Sequence, residues 1–323
     1  MAQPTNLYDS YDMKGIREDL SDMIYDITPD DTPFYTACKK VKASNTLHEW
    51  QTDTLRSAGV NAHAEGATTE AQAATPTVRL GNNTQIFKNA VVISDTDQGL
   101  KTAGRKQEMA YQVLKIAREQ KLDIEKALFE NQARVSVDSA TPRKLAGLGA
   151  WITTNVDKGA NGVNPPATIA DPLGTVARTD ATGADITAFD QDKFDNVMQS
   201  IWTNGGEPDR VYLSPVQMNK ALKFEGNNNQ RSAVQAGDQK VIKSLVVYVT
   251  PWGTVEFVPS RENRSRDVYI LQNDMFCAAV LRPTRNTELA KTGDNTLRQV
   301  VTELTLVAKN EASSGLVADN TVV

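Results

Sequence analysis

The stretch that most resembles a chemical site follows a short β-branched run, Val91-Val92-Ile93. It passes through Gly99-Leu-Lys-Thr-Ala-Gly104 into helix-forming sequence. A strand, a G-x-x-x-x-G loop and a helix form the frame that cradles phosphates, but the chemistry needs a lysine and then Ser or Thr for phosphate and magnesium. Arg105 and Lys106 stand in those places, so no hydroxyl is present to ligate a metal and the glycines read as helix-entry residues. Gly147-Leu-Gly149 is a fragment of a dinucleotide loop without its third glycine; it reads as a turn leading into a short strand at Trp151-Ile152. The two histidines stand apart, His48 in an alternating strand pattern and His63 among small residues, and H-E-x-x-H, C-x-x-C and G-x-S-x-G do not occur. Asp95 and Asp97 could face a cation, although an acidic pair ahead of a helix more commonly caps it. Arg261, Arg264 and Arg266 either belong to a solvated loop or contact phosphate. Cys38 and Cys277 read as two reduced cysteines. No catalytic, cofactor-binding or metal-binding residue is therefore expected.

The chain has 323 residues, 40% hydrophobic and 23% charged, enough for two domains or for one body with a long extension. Net charge is −5, from 35 basic and 40 acidic residues, which argues against a dedicated DNA binder. No apolar run reaches the roughly 20 residues that span a bilayer, so no membrane partner is expected. The opening residues lack the basic and apolar regions of a signal peptide.

The dominant element is residues 105–134, which contain neither Gly nor Pro and consist mostly of good helix formers. A helix of that length spans roughly 45 Å, the length of the whole molecule. Ala110, Val113, Leu114, Ala117, Ile124, Ala127 and Leu128 make its apolar stripe, interrupted by Gln120 and Lys121. Before it, Ile16, Leu20, Met23, Ile24 and Ile27 form one face of a short helix that the prolines at 29 and 33 stop. That helix packs either on its own domain or on a neighbour. Residues 46–94 read as a long hairpin whose small, polar tip (56–74) cannot build a core, so the tip is either disordered or laid on another subunit. Residues 155–190 read as a long surface loop.

An α/β section follows. Phe194, Val197, Met198, Ile201 and Trp202 mark a helix ended by Gly205-Gly206. Residues 210–213 read as a strand, Ser214-Pro215 as a cap opening a helix, and 244–260 as two strands joined at Pro251-Trp252-Gly253. Residues 223–240 read as a flexible loop, and 275–281 as a short apolar strand. In 297–310, Val300, Thr302, Leu304, Leu306 and Ala308 share the face expected to meet the long helix. The sheet beneath that helix thus draws on both ends of the chain.

Together these residues resemble the major capsid proteins of tailed double-stranded DNA bacteriophages, with the Hong Kong 97-type α+β fold. The resemblance rests on the Ile-Thr-Pro-x-x-Thr-Pro-Phe turn at 27–34, Trp50-Gln-Thr-Asp-Thr-Leu55, Glu65-Gly66, Asn83-x-x-Ile86 and Val92-x-Ser94. It continues in the long helix, Leu281-Arg282-Pro283, Leu289-Ala-Lys-Thr-Gly293 and Glu303-x-Thr-Leu306. It implies an N-terminal arm (1–45), an extended β-hairpin loop (46–94), a peripheral domain with a spine helix (95–150), an axial domain (151–274) with its surface loop at 155–190, and peripheral return strands (275–323). It implies a structural subunit, not an enzyme, that self-assembles as hexamers and pentamers into an icosahedral shell around packaged double-stranded DNA, touched non-specifically on the inner face. Implied partners are a portal protein, a separate scaffolding protein and a decoration protein; the implied location is the virion, after assembly in the host bacterial cytoplasm. The alternatives are an encapsulin-like nanocompartment shell, a nucleotide-binding enzyme using the loop from Gly99 to Lys106, and a DNA binder working through Arg261, Arg264 and Arg266.

Overall fold

Strand β11 (Asn295–Ala308) alternates as its sequence demands, placing Leu304, Leu306 and Ala308 in the main core and Val307 in a smaller cluster on the opposite face. The computed structural model describes residues 29–56, 58–66, 68, 74–100, 107–136, 141–168, 172–224 and 247–322. β11 pairs antiparallel with β4 (Gln85–Ser94) on one side and β10 (Phe276–Glu288) on the other; β1 (Lys39–Lys42) adds to β10 in parallel. This four-stranded sheet, drawn from both ends of the chain, lies under the spine helix α3 (Glu108–Phe129).

The spine is shorter than expected, 22 residues instead of the whole of 105–134, and so about 33 Å long. Its end is imposed by tertiary contacts. The Tyr269 hydroxyl donates to the Phe129 carbonyl, Glu130 turns extended, and Asn131 bonds the Arg178 carbonyl. Gly149 packs so close that a Cβ there would lie 2.9 Å from Asn131, and Gly147 is pressed against the Glu130 carbonyl. The buried face also differs from the expected stripe. Gln120 lies at its centre, donating to the Phe87 carbonyl at 2.8 Å and the Val300 carbonyl at 3.2 Å while accepting from Thr302 at 3.1 Å. Leu114, by contrast, is 65% exposed.

A second sheet runs β5-β12-β9-β6-β8-β7, from β5 (Val156–Asp157), β12 (Gly315–Val317), β9 (Val268–Leu271), β6 (Arg210–Leu213), β8 (Gly253–Pro259) and β7 (Val247–Thr250). Helix α4 (Gln191–Thr203) seals one face with Phe194, Val197, Met198 and Ile201 and ends at Gly205, which takes φ +82°. Trp202, expected on that face, is exposed instead. Helix α5 (Pro215–Ala221) starts at Ser214, whose hydroxyl accepts from Gln217 N–H. The sheet's other face presents Tyr212 and Tyr269 to Phe129, so the two sheets share one aromatic core.

Three further expectations change. Only β2 (Leu47–Thr52) and β3 (Val78–Asn83) form the ribbon; the rest of the expected return limb is β4, inside the body sheet. Trp151 and Ile152 are fully buried at the end of a short 3-10 turn, not in a strand. Pro33 opens a helix, α1 (Pro33–Ala37), and with β1 it ties residues 33–42 of the expected arm into the body. The helix expected at 16–27 lies outside the described residues, as does most of the loop at 223–240.

Candidate functional site

The ribbon leaves the body at a bolted root. Asn82, fully buried, uses its whole amide: it donates to the Ala146 and Leu306 carbonyls and accepts from Ala146 N–H at 2.8 Å. Arg134 bonds the Gly81 carbonyl, and Trp50 packs on Trp151 with ring centroids 5.3 Å apart. Beside the root, Glu303 is buried and accepts from Thr84, Arg143 and Arg282, each at 2.7 Å. A carboxylate so satisfied is tolerated in a core, and it joins β11 to β10, to the β3–β4 junction at Thr84 and to the segment at Arg143.

Beyond this root the described residues include apolar side chains left open to solvent. Leu55 and Val60 are each 99% exposed. A half-open groove of about 1000 Å³ runs beneath the ribbon, between Val78 and Leu80 above and Leu173, Met275 and Ala312 below. Exposed apolar chain beside an unfilled apolar groove is the signature of an interaction surface.

On the other side of the body, the carboxylate of Glu125 on α3 receives the N–H groups of Phe34 at 2.9 Å and Tyr35 at 2.7 Å. It thereby satisfies the first turn of α1, where Phe34 is fully buried against Phe129, Tyr212 and Phe276. Burial pushes the Glu125 carboxyl up to about 7, against the pull of the two N–H bonds. Sequence reasoning missed this residue; the available signal was a glutamate between Ile124 and Leu128 on an apolar face.

Two of the three arginines, Arg264 and Arg266, are turned inward onto aspartates. Arg264 pairs with Asp180 and Asp267, and Arg266 with Asp180 and Asp319. Arg178, fully buried, lies at 2.9 Å from Asp267 and 3.3 Å from Asp319. Burial raises the Asp267 carboxyl, whereas Arg264 and its neighbours hold Asp180 low despite its own burial. This network ties Arg178 and Asp180 to Asp267 beside the six-stranded sheet and to Asp319; of the three arginines at 261, 264 and 266, Arg261 alone is exposed. Asp95 pairs with Lys291 at 2.6 Å and Thr296 at 2.8 Å, and Ser94, not the acidic pair, caps α2 (Asp95–Gly99) by accepting from Asp97 N–H. His48 lies beside Trp50, and His63 bonds Asn61 on the exposed tip. Gly104, Arg105 and Lys106 lie outside the described residues. Cys38 and Cys277 are free and buried on opposite faces of the body sheet.

A family model described as the SU10 major capsid protein matches residues 3–321. The chain belongs to this family of major capsid proteins. The major capsid protein of Escherichia phage Phieco32 is 31% identical over 345 residues, covering 98% of this chain and 97% of that one. Among solved structures, the cyanophage A-1(L) capsid asymmetric unit superposes at TM-score 0.67 with 14% identity, over 98% of this chain and 100% of that chain. The capsid of a native GTA particle gives TM-score 0.62 and 13% identity, over 95% and 96%. The fold is the Hong Kong 97 type, and this capsid protein is a structural shell subunit of the virion. The residues that carried the sequence resemblance now have physical roles: Phe34 fills the aromatic core, Trp50 seats the ribbon, and Arg282 and Glu303 pair at its root.

Proposed function

We propose that the distal ribbon, residues 53–77, crosses to an adjacent copy and that the groove beneath the ribbon root receives chain from a neighbour in turn. The observation that carries this is the pairing of near-complete exposure at Leu55 and Val60 with an unfilled groove at the rigid root. Each contact is modest, and ring closure multiplies it, so hexamers and pentamers close an icosahedral shell. The division into arm (1–45, of which 33–42 are tied to the body), extended loop (46–94, of which β4 belongs to the body sheet), peripheral segments (95–150 and 275–323, apart from β12) and axial domain (151–274, with β12 in its sheet) serves this arrangement. The shell holds packaged double-stranded DNA without gripping it: the net charge is −5, and Arg264 and Arg266 are spent on internal aspartates. Assembly proceeds in the host cytoplasm with a portal and a separate scaffolding protein, and a decoration protein can join the finished shell. The full-length match to a major capsid protein favours this reading over a cargo-loading nanocompartment.

The test removes residues 56–74 and joins the strands by a short Gly-Ser turn. The expected product is a soluble subunit with native circular dichroism that forms no particles by negative-stain microscopy where the intact chain does. Normal shells from the shortened chain would overturn the proposal.

A further inference from the structure

Strand β12 is three residues long, yet it lies inside the second sheet, parallel to β5 on one side and antiparallel to β9 on the other. β5 stands at the sheet's edge and joins it through β12. The two faces of β12 enter different cores: Leu316 sits in the one built on Phe129, and Val317 in the one beneath α4. The slot is cut close. A Cβ at Gly315 would lie 2.5 Å from Val197 and 2.8 Å from Ile201, so a glycine is what lets strand and helix approach.

The residues on either side of β12 extend the same grip. Asn155 donates its amide to the Ala312 and Ser314 carbonyls at 2.7 and 3.0 Å, and the Leu316 and Ala318 N–H groups donate to the Asn155 and Asp157 carbonyls at 2.9 and 2.7 Å. The Asp319 carboxylate accepts from the N–H groups of Gly159 at 3.2 Å and Ala181 at 3.0 Å and pairs with Arg266 and Arg178. Thr187 N–H donates to the Asp319 carbonyl, and Thr321 N–H to the Thr187 carbonyl. Two stretches distant in sequence, 155–159 and 181–187, are thus fastened to residues 312–321. The body sheet rests on longer ladders, β11 alone running 14 residues. Short pairing at a sheet edge opens at a lower free energy than long ladders through a core.

We propose that residues 312–321 are a latch for the axial domain. Seated, they hold 155–159 and 181–187 on the second sheet. Released, they let both stretches leave together while the body sheet stays folded. The subunit thus has a second conformation confined to this domain, and Asp319 sets its population. Asp319 takes φ +58°, which asparagine also adopts readily, so Asp319→Asn keeps the backbone and removes the charge that faces buried Arg178.

The test is hydrogen exchange of the unassembled subunit at low urea, read peptide by peptide. In the wild type, peptides within 155–159, 181–187 and 315–321 exchange with one shared urea dependence, about tenfold or more faster than those of β4 and β11. Asp319→Asn speeds all three by a common factor of about ten or more and leaves β4 and β11 unchanged. Wild-type exchange of the three stretches with unrelated urea dependences, or at the rate of the body sheet, would overturn the proposal. So would a variant that leaves the three stretches unchanged, or one that loosens β4 and β11 equally.

Discussion

Replacing Glu125 by glutamine tests whether a buried carboxyl holds the start of α1. In the folded chain this group titrates at about 7, against an ordinary 4.5. Between those values the folded state binds a proton that the unfolded state has released, so its contribution to stability is full below pH 4.5 and falls as pH rises to 7. At about 1.4 kcal/mol per pH unit, the gap is worth about 3 kcal/mol. Glutamine keeps one acceptor for the Phe34 and Tyr35 N–H groups at every pH and cannot ionise. The acceptor it loses costs about 1–3 kcal/mol, the same at both ends of the range, and cancels in the comparison. Urea unfolding of the unassembled subunit at pH 5 and pH 8, for both proteins, isolates the term. The variant gains about 3 kcal/mol on the wild type between pH 5 and pH 8. An identical stability difference at the two pH values would refute the reasoning.

Other perturbations have equally definite outcomes. Phe34→Ala empties a fully buried aromatic site between Phe129, Tyr212 and Phe276 and costs about 3–5 kcal/mol in urea unfolding. Arg178→Met strips a charge from buried Asp267 and Asp319 and costs about 3–5 kcal/mol, with proteolysis within 155–190 accelerated. Gln120→Leu leaves two buried carbonyls and the Thr302 hydroxyl without this partner, costing about 2–4 kcal/mol by the same assay.

Local signals carried much of the fold. The spacing of Phe194 to Ile201, the Ser214-Pro215 cap, the turn at Pro251-Trp252-Gly253 and the alternation of 300–308 all describe structure set by residues near in sequence. Long-range features were hidden. Residues 130–134 are helix formers, yet close packing against Gly147 and Gly149 diverts them. Gln120 looked like a break in an apolar stripe because its partners, Phe87 and Val300, lie 33 and 180 residues away. The arginines at 264 and 266 looked available because Asp180 and Asp319 lie more than 50 residues off; only Asp267, three residues from Arg264, was a partner near in sequence. The ribbon root shows the same limit: periodicity marks strands on both limbs, but only the pairing shows β4 leaving the ribbon for the body sheet.

The most direct measurement is a cryo-electron microscopy reconstruction of particles made by this chain. A closed icosahedral shell is expected, with residues 53–77 of each subunit lying on a neighbour. A chain that stays monomeric at every concentration, or a shell in which each ribbon tip folds back onto its own body, would contradict the account.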